Sequence, residues 1–193
     1  MTASIPASYK DKGRRFQQEV ATQIRTAFDL PDADVISRPM GSPGTDIILS
    51  TAAQARFPFA IECKRAEKWK LHLWWQQAQS NASPVMGIEP LLVFRRNRED
   101  TYAITTQSSL RFFSPSSMTV SVRGPAIKWP IRTWIQQAAV EVAESEHPEY
   151  IPIVLIRNGS QHIILLYFTD LVRGIHPELT EIAAQRWNRR HVP

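Results

Sequence analysis

The 193-residue chain is 43% hydrophobic and 21% charged, which is ordinary for a globular protein and sufficient for one good core or two small domains. It has no apolar run of the roughly 20 residues that a membrane span needs. It also has no apolar signal-peptide segment at its start, and its one cysteine excludes an internal disulfide framework. We therefore expect a cytoplasmic protein, and the net charge of +5 indicates a polyanionic partner only weakly.

The first half of the chain predicts an α/β fold. Apolar side chains recur at spacings of three and four over residues 9–30, which predicts a helix that ends at Pro31. A strand at 34–38 and a glycine-containing loop at 39–45 follow, then strands at 46–50 and 58–64, a helix at 69–82, and strands at 90–94 and 101–105. This order is typical of a mixed central β-sheet flanked by helices.

Two carboxylates and a lysine fall on neighbouring strands of this sheet. Side chains alternate between the two faces of a strand, so Glu62 and Lys64 share one face while Cys63 between them points into the core. Asp46, in the preceding strand, can meet Glu62 if the two strands pair as a hairpin. Such a cluster is costly unless a cation binds there, and a divalent metal held by oxygen ligands is the natural occupant.

Asp46 followed by the triplet at 62–64 resembles the D…(D/E)-x-K motif of the PD-(D/E)xK nuclease superfamily, which includes restriction endonucleases and Holliday junction resolvases. The segment GRRFQQEV at 13–20 is similar to the first helix of resolvases. The segments WWQQA at 74–78 and PLLVFRRN at 90–97 are similar to small phage-type resolvase-like nucleases. Thr45 stands where the motif often has proline. The resemblance covers residues 10–106, about half of the chain.

The resemblance implies a restriction-endonuclease-like core and a metal-dependent endodeoxyribonuclease. It implies that Asp46, Glu62 and the backbone carbonyl of Cys63 bind Mg²⁺, with Mn²⁺ as a substitute. The bound metal ion would activate water and polarise the phosphate. Glu19 of the first helix would add a carboxylate, to a second metal position or to a metal-bound water. The alternative for Glu19 is a plain surface glutamate.

The same resemblance assigns two further catalytic roles. Lys64 would orient the attacking water or stabilise charge in the transition state. Gln76 or Gln77, on the next helix, would contact the DNA backbone or order water, and we favour Gln77. The alternative to these roles is structural: Asp46 would be a turn aspartate, and Glu62 and Lys64 would form an exposed ion pair at a strand edge.

Basic residues flank this site in three clusters, as expected for contacts to phosphates on either side of a scissile bond. The expected DNA-binding residues are Lys12, Arg14, Arg15, Ser42, Arg65, Lys68, Arg95 and Arg96. A fourth cluster, Arg186, Arg189 and Arg190, is more typical of a solvated helix face.

Other chemistry-bearing residues have ordinary explanations. The five histidines are scattered without metal-ligand spacing, and Cys63 lacks an identifiable base, so we expect a buried thiol. The tryptophans Trp69, Trp74 and Trp75 could stack on unpaired bases. Packing against the sheet is the explanation that we favour for at least two of them.

The second half of the chain echoes the first. After a linker or long turn predicted at 112–117, Trp69-x4-Trp74 recurs as Trp129-x4-Trp134 at an offset of 60. The same offset lays Glu62 on Val122 and Lys64 on Gly124, which would make the second half a degenerate strand-helix-strand repeat without its metal chemistry. Chance similarity is the alternative. We expect a nuclease core at 1–111, an extension at 118–193, and a final outer helix at 177–190.

The function implied by the resemblance is a phage-type resolvase that cleaves branched DNA in recombination, in the host cytoplasm if it is phage-encoded. Such enzymes cut two opposed strands, so we expect a homodimer. The first alternative is an endonuclease for flaps, mismatches or a duplex site. The second, from another class, is a catalytically silent DNA-binding protein of the same fold, against which the intact Asp-Glu-Lys trio argues.

Overall fold

The computed structural model describes residues 9–82, 87–124, 130–158 and 160–182. These residues form an eight-stranded mixed β-sheet with helices on both faces, which confirms the predicted α/β class. Trp129 of the predicted repeat and the C-terminal arginine cluster at 186–190 lie outside the described residues. No described helix is long and apolar enough to cross a membrane.

The first half follows the predicted order of elements. Helix α1 spans Tyr9–Phe28, and after it come β1 (Val35–Ser37), β2 (Ile47–Leu49), α2 (Thr51–Arg56), β3 (Phe59–Arg65), α3 (Leu71–Asn81), β4 (Glu89–Arg95) and β5 (Tyr102–Thr106). The short helix α2 was not expected from the sequence. Ser50 caps it, since its Oγ accepts a hydrogen bond from the Ala53 amide at 3.1 Å.

The second half adds strands and helices to the same sheet. They are β6 (Met118–Arg123), α4 (Ile131–Ala143), β7 (Ile151–Asn158), β8 (Gln161–Tyr167) and α5 (Phe168–Gly174). A last helical segment begins at Pro177 and is described to residue 182, so the remainder of the predicted helix at 177–190 lies beyond the described residues.

The sheet has the strand order β1-β2-β3-β4-β5-β8-β7-β6. Strand β3 runs parallel to β4 and β6 parallel to β7, and all other neighbours are antiparallel. Helices α1 and α5 touch each other on one face, and α3 and α4 pack on the other. Because both faces of the central strands are covered, β3 and β4 are buried almost continuously, as parallel strands usually are.

The two halves share one topology. Each contains a strand, a helix, a parallel strand and then an antiparallel strand, and the last strands, β5 and β8, pair with each other. An approximate two-fold axis therefore passes through the sheet near the paired residues Ile104 and Leu165. This architecture is what the sequence echo between the halves predicts.

The strand register corrects the sequence alignment of the two halves. Pro90 begins the run PLLVFR at 90–95 of β4, and Pro152 begins the similar run PIVLIR at 152–157 of β7, so the two prolines are counterparts. Ala60 of β3 pairs with Pro90, and Thr119 of β6 pairs with Pro152. The strand offset is therefore 59 instead of 60. Because a shift of one residue reverses the face of a strand, Val122 and Gly124 are the wrong counterparts of the site residues. Ser121 stands in the position of Glu62, and Arg123 in that of Lys64.

The segment 112–117, predicted as a linker or long turn, is packed against the core and is not an open linker. Phe112 and Phe113 are each 1% exposed, and two short 3-10 helices, Gln107–Phe112 and Pro115–Ser117, carry the chain from β5 to β6. Phe113 also forms a β-bridge with Ile175. Serine and proline predict a turn here, but the two aromatic rings bury enough apolar surface to fix the segment against the core. The boundary between 1–111 and 118–193 stays a prediction.

Candidate active site

Strand pairing holds Asp46 beside β3. Its backbone amide donates to the Ile61 carbonyl at 2.9 Å, and its carboxylate Oδ2 accepts a hydrogen bond from the Cys63 amide at 2.7 Å. The side chain of Asp46 is thereby fixed at the strand edge next to Glu62. The amide and carbonyl of one strand residue point to the same side, so the Cys63 carbonyl is directed toward this edge as well.

Glu62 is the most buried charged side chain of the described site, with 1% exposure. Its Oε1 lies 2.5 Å from Nζ of Lys64, which shares its face of β3 as predicted. Its Oε2 accepts a hydrogen bond from Nδ2 of Asn81 at 3.0 Å. Strand β3 and helix α3 therefore fix both oxygens of this carboxylate.

Burial dominates the electrostatics of the two carboxyl groups. It raises the pKa of Asp46 above its ordinary 3.8, although the hydrogen bond from Cys63 and the charge of Lys64 oppose the shift. Burial also raises the pKa of Glu62 above 4.5, and the Asp46 charge adds to this rise while Lys64 and Asn81 reduce it. Both carboxylates are therefore destabilised in the absence of a further cation.

The Cys63 side chain has no place in this chemistry. It is 8% exposed and lies on the opposite face of β3 from Glu62. Burial raises the pKa of its thiol well above 9.0, and the neighbouring charges of Asp46 and Glu62 raise it further. The thiol is a core side chain, as the sequence analysis expects.

Helix α1 brings Gln17 to the cluster and leaves Glu19 outside it. The Glu19 carboxylate is 45% exposed and pairs with the Arg95 guanidinium. Gln17 is 3% exposed, and a hydrogen bond from its side chain opposes the rise in the pKa of Asp46. The two residues are about 200° apart around the helix, so they cannot face one site. The sequence signal that could have indicated Gln17 is its position beside the apolar stripe that contains Phe16 and Val20.

Helix α3 brings Asn81 to the site. Gln76 and Gln77 are both exposed, and neither has a hydrogen bond to Asp46 or Glu62 in the described part of the chain. Gln77 lies one turn before Asn81 on the same side of the helix. Asn81 also lies 3.4 Å from the Gly44 carbonyl, so it connects α3 to the loop before β2.

The tryptophans near the site pack as the sequence analysis expects for at least two of them. Trp75 is 2% exposed. Trp69 meets Phe94 and Tyr102 edge to face, with ring centroids 5.3 and 5.8 Å away.

The donor set of the cluster fits a hard divalent cation. Asp46 and Glu62 supply carboxylate oxygens, and Oε1 of Gln17 is a buried oxygen without a hydrogen-bond partner in the described residues. These residues form no group of three or more His, Cys, Asp and Glu side chains that could hold a metal. Two carboxylates completed by neutral oxygens and water are, however, a usual environment for Mg²⁺.

A family model described as "Phage putative PDDEXK endonuclease" matches residues 8–122. The match covers more than half of the 193 residues and includes the whole Asp46–Glu62–Lys64 cluster. The chain belongs to this family. No curated protein and no solved structure matches it.

Membership in a PDDEXK endonuclease family implies a nuclease that hydrolyses phosphodiester bonds, with DNA as its substrate. The match ends inside β6, so α4, β7 and β8 lie outside it. The family match therefore covers strands β1 to β5, which carry the site, and most of β6.

Several basic residues expected to bind DNA are engaged within the endonuclease. Arg65 donates to Oδ1 of Asn97 at 3.0 and 3.1 Å. Arg95 pairs with Glu19, and the Arg96 guanidinium lies 4.1 Å from the ring centroid of Trp69. Other expected DNA-binding residues are exposed: Lys12, Arg14, Arg15, Ser42 and Lys68. The exposed set lies on α1, on the loop before β2 and after β3.

Proposed function

We propose that this endonuclease is metal-dependent and cleaves branched DNA such as Holliday junctions. The observation that carries the metal dependence is the pair formed by half-buried Asp46 and fully buried Glu62, because partial or full burial raises the pKa of each carboxyl group. Burying two carboxylates against one lysine is unfavourable unless a cation completes the site. Mg²⁺ suits the oxygen donors, and Mn²⁺ is the expected substitute.

Each residue of the cluster has one role in this proposal. A bound divalent cation supplies Lewis-acid stabilisation of charge at the phosphate and activates water for attack. Asp46 and Glu62 hold the cation, and the Cys63 carbonyl is directed to the same edge. Lys64, fixed by Glu62 at 2.5 Å, donates a hydrogen bond to the attacking water or to a phosphate oxygen. Asn81 keeps the Glu62 carboxylate oriented.

The exposed cations of α1 and of the segment after β3 are proposed to bind the DNA backbone. Lys12, Arg14 and Arg15 are exposed on the same helix as Gln17, and Lys68 is exposed three residues after β3. Contacts of this kind position the duplex and weaken with salt, but they carry no base specificity.

Symmetric cleavage of a junction requires two active sites, and this requirement supports a homodimer. In the described residues, the counterpart of Glu62 in the second half is Ser121 and that of Lys64 is Arg123. Both bind Glu141, which stands where α3 has Asn81. The second half thus lacks the carboxylate pair, so two chains must supply two sites. Light scattering should give twice the chain mass of 22.0 kDa.

The decisive experiment compares a labelled four-way junction with a linear duplex of the same sequences. With Mg²⁺, the wild-type protein should introduce paired, symmetric nicks in the junction and cleave the duplex much more slowly. EDTA should abolish both reactions. Equal cleavage of the two substrates would contradict the preference for branched DNA, and cleavage that survives EDTA would contradict the metal dependence.

A further inference from the structure

Gln17 is a buried polar side chain that the D…E-x-K motif does not include. It is 3% exposed and follows Phe16, which is 1% exposed, on the core-facing side of α1. Burying a primary amide is unfavourable unless both its ends find hydrogen-bond partners. A buried glutamine at this position therefore needs an explanation, whereas a buried apolar side chain would not.

One end of the Gln17 amide is accounted for. Its side chain contributes a hydrogen bond to the Asp46 carboxylate. Only the NH₂ group of an amide can donate to a carboxylate, so Nε2 faces Asp46. The other end, Oε1, has no hydrogen-bond partner in the described part of the chain. The neighbouring Asp46 carboxylate cannot satisfy this buried acceptor, because an ionised carboxylate is an acceptor only.

We propose that Gln17 Oε1 is a third side-chain oxygen ligand for the divalent cation held by Asp46 and Glu62. This inference rests on the proposed metal dependence. Hard cations bind amide and carboxylate oxygens alike. A neutral ligand also completes the site without adding a third negative charge to a buried cluster that has one lysine. Helix α1 thereby contributes to the site through Gln17 and not through the exposed Glu19.

A purely structural role for Gln17 makes a different prediction. If Gln17 only holds Asp46 through Nε2, replacing it with glutamate removes the donor and adds repulsion, so metal binding should weaken. If Oε1 is a ligand, Gln17→Glu keeps an oxygen at that position and adds charge, so binding should be at least as tight as in the wild type. Both roles predict weaker binding for Gln17→Ala, and the pair of variants therefore separates them.

The test is calorimetric titration of the full chain with Mn²⁺ alone, without DNA. We expect Gln17→Ala to bind Mn²⁺ about 10-fold more weakly and Gln17→Glu to bind at least as tightly as the wild type. Binding to Gln17→Glu should also depend more steeply on pH, because a third carboxyl must lose its proton. Gln18→Ala is the matched control, since Gln18 is the exposed neighbour on the same helix. Circular dichroism confirms that each variant is folded.

Two results would overturn the inference. One is wild-type affinity in a folded Gln17→Ala protein, and the other is weaker binding by Gln17→Glu. If Gln17→Ala does not fold, the comparison of Gln17→Glu with the wild type decides alone. These failures differ from failure of the proposed function, in which the wild-type protein itself would neither bind Mn²⁺ nor cleave DNA in its presence.

Discussion

At the scale of single residues, the site is a set of charges that the fold stabilises poorly by itself. Glu62 is 1% exposed, and its partners are one lysine and one amide. Asp46 lies beside it, and burial raises the pKa of both carboxyl groups. Carboxyl groups whose pKa is raised by burial and that have a specific charge partner are typical of functional sites. The cost is consistent with residues selected for binding a cation.

This cost predicts how the stability of the metal-free protein depends on pH. The folded state raises the pKa of Glu62, so its contribution is most favourable below the unfolded pKa of about 4.5 and is lost as the pH rises through the folded pKa. Glu62→Gln lacks this titration. In EDTA the variant should therefore gain stability relative to the wild type between pH 4 and pH 8, as measured by urea unfolding. A difference that does not change with pH would contradict the prediction.

The sequence was sufficient to predict the strand that carries the candidate site but not the amide side chains beside it. Alternation along a strand places Glu62 and Lys64 on one face, and the motif order adds Asp46. Whether Gln17 and Asn81 face the site depends on the rotation of their helices. The spacing of apolar residues by three or four determines that rotation only to within about one residue. The sequence therefore indicates Glu19 and Gln77, through a carboxylate and the WWQQA segment, and it does not single out Gln17 or Asn81, since a lone amide has no such signal.

At the scale of elements, α1 and α3 approach the site from opposite faces of the sheet. The Arg95 guanidinium of β4 lies 4.7 Å from the ring centroid of Phe16 on the α1 face. Glu62 bonds Asn81 on the α3 face. Helix α3 is thus packed directly over the carboxylate that it orients. The geometry of the site depends on this packing as well as on β3.

The contact between α3 and β3 can be tested at Asn81. Asn81→Ala removes the hydrogen bond to Oε2 of Glu62, so the carboxylate loses part of its orientation. We expect cleavage to fall about 10- to 100-fold, as for other residues that orient metal ligands, with the fold intact. Ser80→Ala, at an exposed neighbouring position, is the control. Steady-state cleavage of a labelled junction measures both, and an Asn81→Ala rate equal to that of the control would refute this role.

At the scale of the whole molecule, the pairing of β5 with β8 joins the two halves. Ala103, Ile104 and Thr105 of β5 are fully buried, and they pair with residues 164–166 of β8. Without the second half, this strand would expose an apolar edge with unpaired backbone groups. The half that carries the site therefore depends on the other half for one of its sheet edges.

This dependence predicts the behaviour of a fragment. A protein of residues 1–117 contains the whole Asp46–Glu62–Lys64 cluster but lacks β6, β7 and β8. We expect it to aggregate or to unfold at a much lower temperature than the full chain, as light scattering and thermal unfolding will report. A monomeric fragment with the stability of the full chain would instead support an independent nuclease core at 1–111.

The shared topology of the halves could be predicted from the sequence, but the counterparts of the site could not. The tryptophan and glutamine positions of α3 and α4 align at an offset of 60, while β3 and β6 align at 59. The difference arises because the connection from strand to helix is one residue shorter in the first half than in the second. No periodicity in the sequence reveals it, because the alternation of β6 is compatible with either face.

The most direct test of the account is cleavage of a labelled four-way junction in Mg²⁺ by Glu62→Ala beside the wild type. Removing a carboxylate that we propose as a ligand of the cation should reduce the cleavage rate by about 100-fold or more, while DNA affinity in a gel-shift assay stays close to that of the wild type. Arg173→Ala, far from the site on α5, controls for changes at the surface. If Glu62→Ala cleaves at the wild-type rate, the buried cluster is not the catalytic centre and the account is wrong.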